Sequence, residues 1–183
     1  MNAARKDSTL TAFLKAVVSA FSGSPARDVS TVAVATDAGT SPGQRGDTAT
    51  REVMPPAAGG LRITYAPDRD GDPDAGEVIW TWVPYDENDG RGKDRPVLVI
   101  ARQDSDRVYA VRLTSKSHDG DRDFLSIGSG EWDSQGRESW VDIEQVYSIH
   151  TRGMRREAAV LDLTRFARVA QALQARYGWS AGA

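Results

Sequence analysis

The chain has 183 residues, of which 39% are hydrophobic and 27% charged, with a formal net charge of -3. No run reaches the roughly 18 apolar residues that cross a bilayer, so stable membrane insertion is not expected and a cytoplasmic location is. The absence of cysteine rules out disulfides, thiolate ligands and cysteine nucleophiles; His118 and His150 alone leave little for a metal site or a Ser-His-Asp triad, so neither metal nor cofactor is expected.

In residues 1–21, Leu10, Phe13, Leu14, Val17, Val18 and Phe21 recur at helical spacing. Asp7 or Ser8 caps the start and Gly23 stops the run. Arg5 and Lys6 before an apolar stretch also resemble a secretory signal, but Lys15 interrupts it, which favours a short amphipathic helix. Residues 22–60 are small and polar, with Pro-Pro and Gly-Gly near the end. They bury too little apolar area to offset backbone ordering and read as a disordered linker.

Residues 61–183 form the expected folded domain. LRITYA alternates as a short strand, and APDRDGDPDAG follows as an acidic loop. GEVIWTWVPY, RPVLVIARQ and RVYAVRLTSK are rich in β-branched and aromatic residues, and DFLSIGSG and SWVDIEQVYSIH supply further strands. LTRFARVAQALQARYGW is helical in its spacing of Phe166, Val169, Ala170, Leu173 and Tyr177, with Asp162 or Thr164 as cap and Gly178 as terminator. Several short strands followed by one helix describe a small curled sheet or barrel with a covering helix, mainly β with α.

The densest local positive charge, Arg91, Lys93 and Arg95, sits where the strand RPVLVIARQ begins. A turn centred on Asp104 and Ser105 places Val99 opposite Ala110, Val97 opposite Arg112 and Arg95 opposite Thr114. Directly paired side chains share a face, with β-carbons about 5 Å apart. A guanidinium and a hydroxyl then meet at the open end of the hairpin, with Lys93 and Arg91 on the preceding loop. A planar, permanently charged donor, a hydroxyl and two flexible cations suit a phosphate, and stabilise a phosphodiester transition state without a metal. The plain alternative is a set of solvated strand ends; a net acidic chain binds nucleic acid only through such a local patch.

Other features have bland and functional readings. Asp68, Asp70, Asp72 and Asp74 alternate like calcium ligands, but Pro73 and Ile79 stand where an EF-hand needs Gly and Glu, leaving a solvated acidic turn. His118 is a surface histidine or a general acid or base beside the same site. Trp80 and Trp82 share one strand face, as stacking platforms or packing; Trp132 and Trp140 read as packing, and His150 as structural or surface. Arg152, Arg155 and Arg156 form another basic cluster, which contacts a nucleic-acid backbone or pairs with Glu157 and Asp162.

The stretch GEVIWTWVPYDENDGRGKDRPVLVIARQDSDRVYAVRLTSK resembles the N-terminal half of the MazF/PemK toxins of bacterial toxin–antitoxin pairs, in wording closest to their actinobacterial branch. Gly76, Glu77 and Trp80 match the first strand, Arg95 and Pro96 the loop end before an aliphatic strand, and Thr114 and Ser115 the end of the third. The likeness runs weakly on through the last helix. It implies an SH3-like barrel, a homodimer, and a metal-independent, sequence-selective endoribonuclease acting on single-stranded RNA under the control of an antitoxin protein. Carried over, Arg95 and Thr114 are the catalytic pair; Arg91, Lys93, Ser115, Lys116 and His118 are the surrounding candidates for RNA or phosphate binding. The loop YDENDGRGKD departs from the family's small polar pattern, which leaves RNA selectivity and activity open. A non-catalytic barrel that binds nucleic acid or protein is the alternative, and membrane association through the first helix a third reading.

Overall fold

The computed structural model describes residues 41–68, 70–87 and 89–182. The helix expected over 1–21 and the first part of the linker lie outside the described residues. The linker expectation is corrected for 41–60: a short 3-10 helix (Gly46–Thr48) and strand β1 (Arg51–Val53) form there, and β1 pairs with β8 (Val146–His150).

The remaining strands are β2 (Arg62–Thr64), β3 (Glu77–Pro84), β4 (Gly92–Arg102), β5 (Arg107–Thr114), β6 (Phe124–Gly128), β7 (Ser139–Asp142), β9 (Met154–Val160) and β10 (Ser180–Gly182). The main sheet runs β1-β8-β5-β4-β3-β9, with β7 pairing both β5 and β6; β2 and β10 form a separate parallel pair. Helix α1 (Leu163–Tyr177) starts at Asp162, whose carboxylate accepts the Arg165 N–H at 3.0 Å, and ends before the left-handed Gly178. The expected mainly β fold with one C-terminal helix is therefore present. Among the described residues no helix is long and apolar enough to cross a membrane.

Alternation along β3, β4 and β5 sends side chains to two cores. Val78, Leu98, Ile100, Val111 and Leu113 pack with Phe166, Val169 and Leu173 of the helix. Ile79, Val83, Val97, Val99, Val108, Ala110, Tyr147 and Ile149 form a second buried cluster on the opposite face. Each fully buried large aliphatic contributes about 1.5–3 kcal/mol. This second cluster draws its residues from β3, β4, β5 and β8. Thr50, just before β1, and Thr81, on β3, join through their hydroxyls at 2.9 Å, and Thr81 donates to the Gly153 carbonyl at 2.9 Å. Gly43 lies against this junction with φ +79, where a Cβ would meet Thr81 Oγ1 at 2.6 Å.

The β4–β5 register has Val99 opposite Ala110 and Val97 opposite Arg112, as the turn chemistry implies. Toward the turn a bulge near Ile100 shifts the pairing to Ala101 with Tyr109. Toward the open end the ladder stops at Val97 and Arg112. Pro96 supplies no N–H there, and Leu113 and Thr114 pair with Val141 and Trp140 of β7 instead. Arg95 has Thr81 of β3 as its strand partner, so the expected direct Arg95–Thr114 pair is replaced by two separate pairings. Strand β4 also begins earlier than expected. Lys93 is a strand residue opposite Val83 rather than a loop residue, and Gly92 allows the close approach, since a Cβ there would lie 2.4 Å from the Val83 carbonyl.

Candidate active site

Beyond the second core, the face that carries Val97 and Ala110 continues to Arg95 on β4 and Arg112 on β5. Aliphatic packing gives way to two arginines at the mouth of the curled sheet. They line a cavity of about 340 Å³ together with Tyr85, Asp86, Glu87 and Arg91 of the β3–β4 connection. Tyr147 closes the cluster beneath them, and its hydroxyl donates to Gln145 Oε1 at 2.7 Å. Burial pushes the Tyr147 phenol well above its ordinary range.

The two arginines differ in their partners. Arg112 donates through Nε to Asp142 Oδ2 at 2.8 Å and through Nη1 to Asp86 Oδ1 at 2.9 Å. Burial works against its charge, but Tyr147, Asp142 and Asp86 outweigh that effect and raise its pKa. Asp142 in turn accepts the Glu144 and Gln145 N–H groups on Oδ1 at 2.9 and 3.3 Å. Arg95 is half-buried, and its Nε has no hydrogen-bond partner among the described residues. Burial and then the nearby Arg112 charge push its pKa down. A guanidinium that is partly desolvated, repelled by a like charge and short of one acceptor is prepared for an anion.

Of the residues marked out by sequence, Arg91 and Arg95 line this cavity. Arg91 is exposed, pairs with Asp89 at 2.6 Å and lies over the Tyr85 ring at 6.0 Å. Lys93, Ser115 and Lys116 are exposed and do not line it. Thr114 does not line it either; by alternation it shares the face of Arg112, and its Oγ1 accepts the Lys116 N–H at 3.2 Å. His118 stacks on Phe124 with centroids 3.5 Å apart and sits 3.6 Å from Asp121. Phe124 is the strand partner of Asp142, so this histidine lies on the neighbouring strand pair rather than in the cavity.

Arg112 is the functional candidate that sequence reasoning passed over. The signal was present: an arginine falls on the inward period of RVYAVRLT, opposite Val97. Arg155 pairs with Asp94 rather than with Asp162, whose partner is Arg165. Trp132 and Trp140 are buried as expected, and Trp132 Nε1 donates to Ser139. His150 is buried and accepts the Arg152 N–H on Nδ1, a structural role. Among the described residues no group of three or more histidine, aspartate or glutamate side chains is arranged to hold a metal ion.

A family model described as the PemK-like, MazF-like toxin of type II toxin–antitoxin systems matches residues 74–176, which include every residue of the cavity. Among solved structures, the chain is similar to a MazE–MazF complex from Deinococcus radiodurans, with 22% identity over 58% of this chain and 96% of that one and a TM-score of 0.47. It is also similar to an endoribonuclease in complex with its cognate antitoxin from a mycobacterial species, with 16% identity over 57% of this chain and 93% of that one and a TM-score of 0.46. A comparison with curated proteins gives no match.

Proposed function

The chain belongs to the PemK-like, MazF-like toxin family of type II toxin–antitoxin systems, and on that footing we propose that it is a metal-independent endoribonuclease that cleaves single-stranded RNA with sequence selectivity at the Arg95–Arg112 cavity. The observation that carries the reading is the pairing of two arginines of different standing at one opening. Arg112 is anchored by a buried carboxylate, and Arg95 has an Nε with no acceptor among the described residues.

The reaction needs no group from outside the RNA beyond proton carriers. The ribose 2′-oxygen attacks the adjacent phosphorus, the bond from phosphorus to the 5′-oxygen breaks, and the products are a 2′,3′-cyclic phosphate and a 5′-hydroxyl. The 2′ proton passes to solvent water as the new bond forms, and the departing 5′-oxygen takes one up from solvent water. Negative charge accumulates on the phosphorane oxygens, where Arg95 and Arg112 stabilise it in a partly desolvated setting. Arginine is a poor base at neutral pH, so the contribution of Arg95 is chiefly electrostatic even with its pKa pushed down. Thr114 holds a non-bridging oxygen. Its Oγ1 accepts from Lys116, which leaves the hydroxyl proton available to donate. Arg91, Lys93, Ser115, Lys116 and His118 follow the flanking RNA backbone. A homodimer and an antitoxin protein that covers the same groove complete the reading.

A second reading, a barrel that binds nucleic acid or protein without cleaving, is favoured by two observations. Thr114 lies off the cavity, and Asp86 and Glu87 lie in it. Incubation of purified protein with a long single-stranded RNA in EDTA separates the two. Discrete fragments from the wild type that disappear with Arg95→Ala and with Thr114→Ala are expected for the nuclease. RNA left intact at high protein concentration, yet retained by the protein in a gel-shift measurement, favours the binder instead.

A further inference from the structure

We propose that Asp86 is an exchangeable stand-in for a substrate phosphate: its carboxylate occupies the outer side of the Arg112 guanidinium in the free protein, and an RNA phosphate displaces it while Asp142 keeps the guanidinium in place. This rests on the reading of the cavity as a phosphate site.

The two carboxylates on Arg112 are unequal. The Asp142 side chain is 2% exposed, ends strand β7, and is further held by two backbone N–H groups. The Asp86 side chain is 61% exposed and sits on the turn between β3 and β4. Among the described residues its other side-chain hydrogen bond comes from Gln145 Nε2 at 3.4 Å. An exposed ion pair of this kind is weakly held, whereas a buried one that loses a partner is not. The outer partner is therefore the one that leaves.

A phosphodiester offers the same recognition as the carboxylate, with one negative charge on two oxygens that a guanidinium meets as a fork. The exchange leaves the charge balance at Arg112 unchanged. It also brings the phosphate beside Arg95, whose guanidinium lines the same cavity and adds a second positive charge. With Asp86 displaced, the cavity wall changes from three arginines facing two carboxylates to three facing one. Asp86 thus raises the threshold for anions, and only a ligand with additional contacts along the groove pays it back.

The test uses inorganic phosphate as the probe, titrated at constant ionic strength against the full chain and followed by calorimetry or by the midpoint of thermal unfolding. Asp86→Asn keeps the size of an exposed side chain and is expected to bind phosphate roughly threefold to fivefold more tightly than the wild type. Arg112→Gln is expected to lose the response, and Arg112→Lys to restore part of it. Equal phosphate affinity in Asp86→Asn and the wild type overturns the proposal, as does undiminished binding by a folded Arg112→Gln. The RNA arm is separate: the KM of Asp86→Asn for single-stranded RNA is expected to fall by a similar factor. If phosphate binding tightens while RNA stays intact, the exchange stands and the nuclease reading falls. If RNA is cleaved but Asp86→Asn binds phosphate no more tightly, the exchange alone falls.

Discussion

Arg112 on β5 donates to Asp142 on β7 at 2.8 Å, one step along the register that pairs Leu113 with Val141. The carboxylate side chain is 2% exposed and the guanidinium 14%. The same ladder that draws Thr114 away from Arg95 thus holds Arg112 at the cavity.

Removing the inner partner leaves Arg112 with the exposed Asp86 carboxylate as its remaining acceptor among the described residues, and leaves two backbone N–H groups without theirs. Asp142→Ala is expected to destabilise the fold by about 3 kcal/mol. Urea unfolding checks this: the midpoint falls while the slope with denaturant stays the same.

Arg95 lies at the end of the second core, and its Nε has no hydrogen-bond partner among the described residues. Arg95→Ala is expected to keep the unfolding midpoint close to that of the wild type. RNA cleavage is expected to fall about a hundredfold to a thousandfold, the loss typical of one transition-state donor. Single-turnover cleavage of a fixed RNA, with the unfolding curve beside it, measures both.

Gly43 and Gly46 both have positive φ, +79 and +70, but different surroundings. A Cβ at Gly46 meets nothing within 4 Å, so Gly46→Ala carries only the left-handed backbone cost of about 1 kcal/mol. At Gly43 a Cβ would press on Thr81 Oγ1 and on the Gly153 carbonyl at 2.6 and 2.8 Å. Gly43→Ala is expected to cost at least about 2 kcal/mol more. Thermal unfolding of the two variants tests whether residues 41–50 belong to the folded domain.

Glu52, on the edge strand β1, has its pKa raised by burial and then by Asp86, with Arg112 acting in the opposite direction. An acid whose pKa is raised on folding holds its proton longer in the native state than in the unfolded chain. Its contribution favours folding at low pH and is lost as pH rises through the range above the ordinary glutamate value. Glu52→Gln is therefore expected to be slightly more stable than the wild type at pH 7, by about 0.5 kcal/mol or less because the group is largely exposed. The difference is expected to vanish at pH 4. Unfolding midpoints at the two pH values check the sign.

Much of this architecture was legible in the chain. Tight turn chemistry at Asp104 and Ser105, with strict alternation on either side, is local information, and it gave the Val97–Arg112 and Val99–Ala110 pairs. The helix was legible because Asp162, the apolar stripe and Gly178 all lie within its own span. Strands β1 and β9 were not. REV has a single apolar residue and MRREAAV groups its charges and its small apolar residues instead of alternating them; both strands form ends of the sheet, where a strand is specified by its neighbour.

The amino-acid sequence by itself determined which residues could carry charge to the mouth of the hairpin, since period-two alternation puts Arg95 and Arg112 on one face. Only the tertiary structure decided which of them stand together. The end of the β4–β5 ladder, the diversion of Thr114 to β7, and the arrival of Asp86 and Asp142 at Arg112 all depend on segments distant in the chain. Cross-strand pairs act between residues far apart in the chain, and no local pattern encodes which partner a strand end will choose.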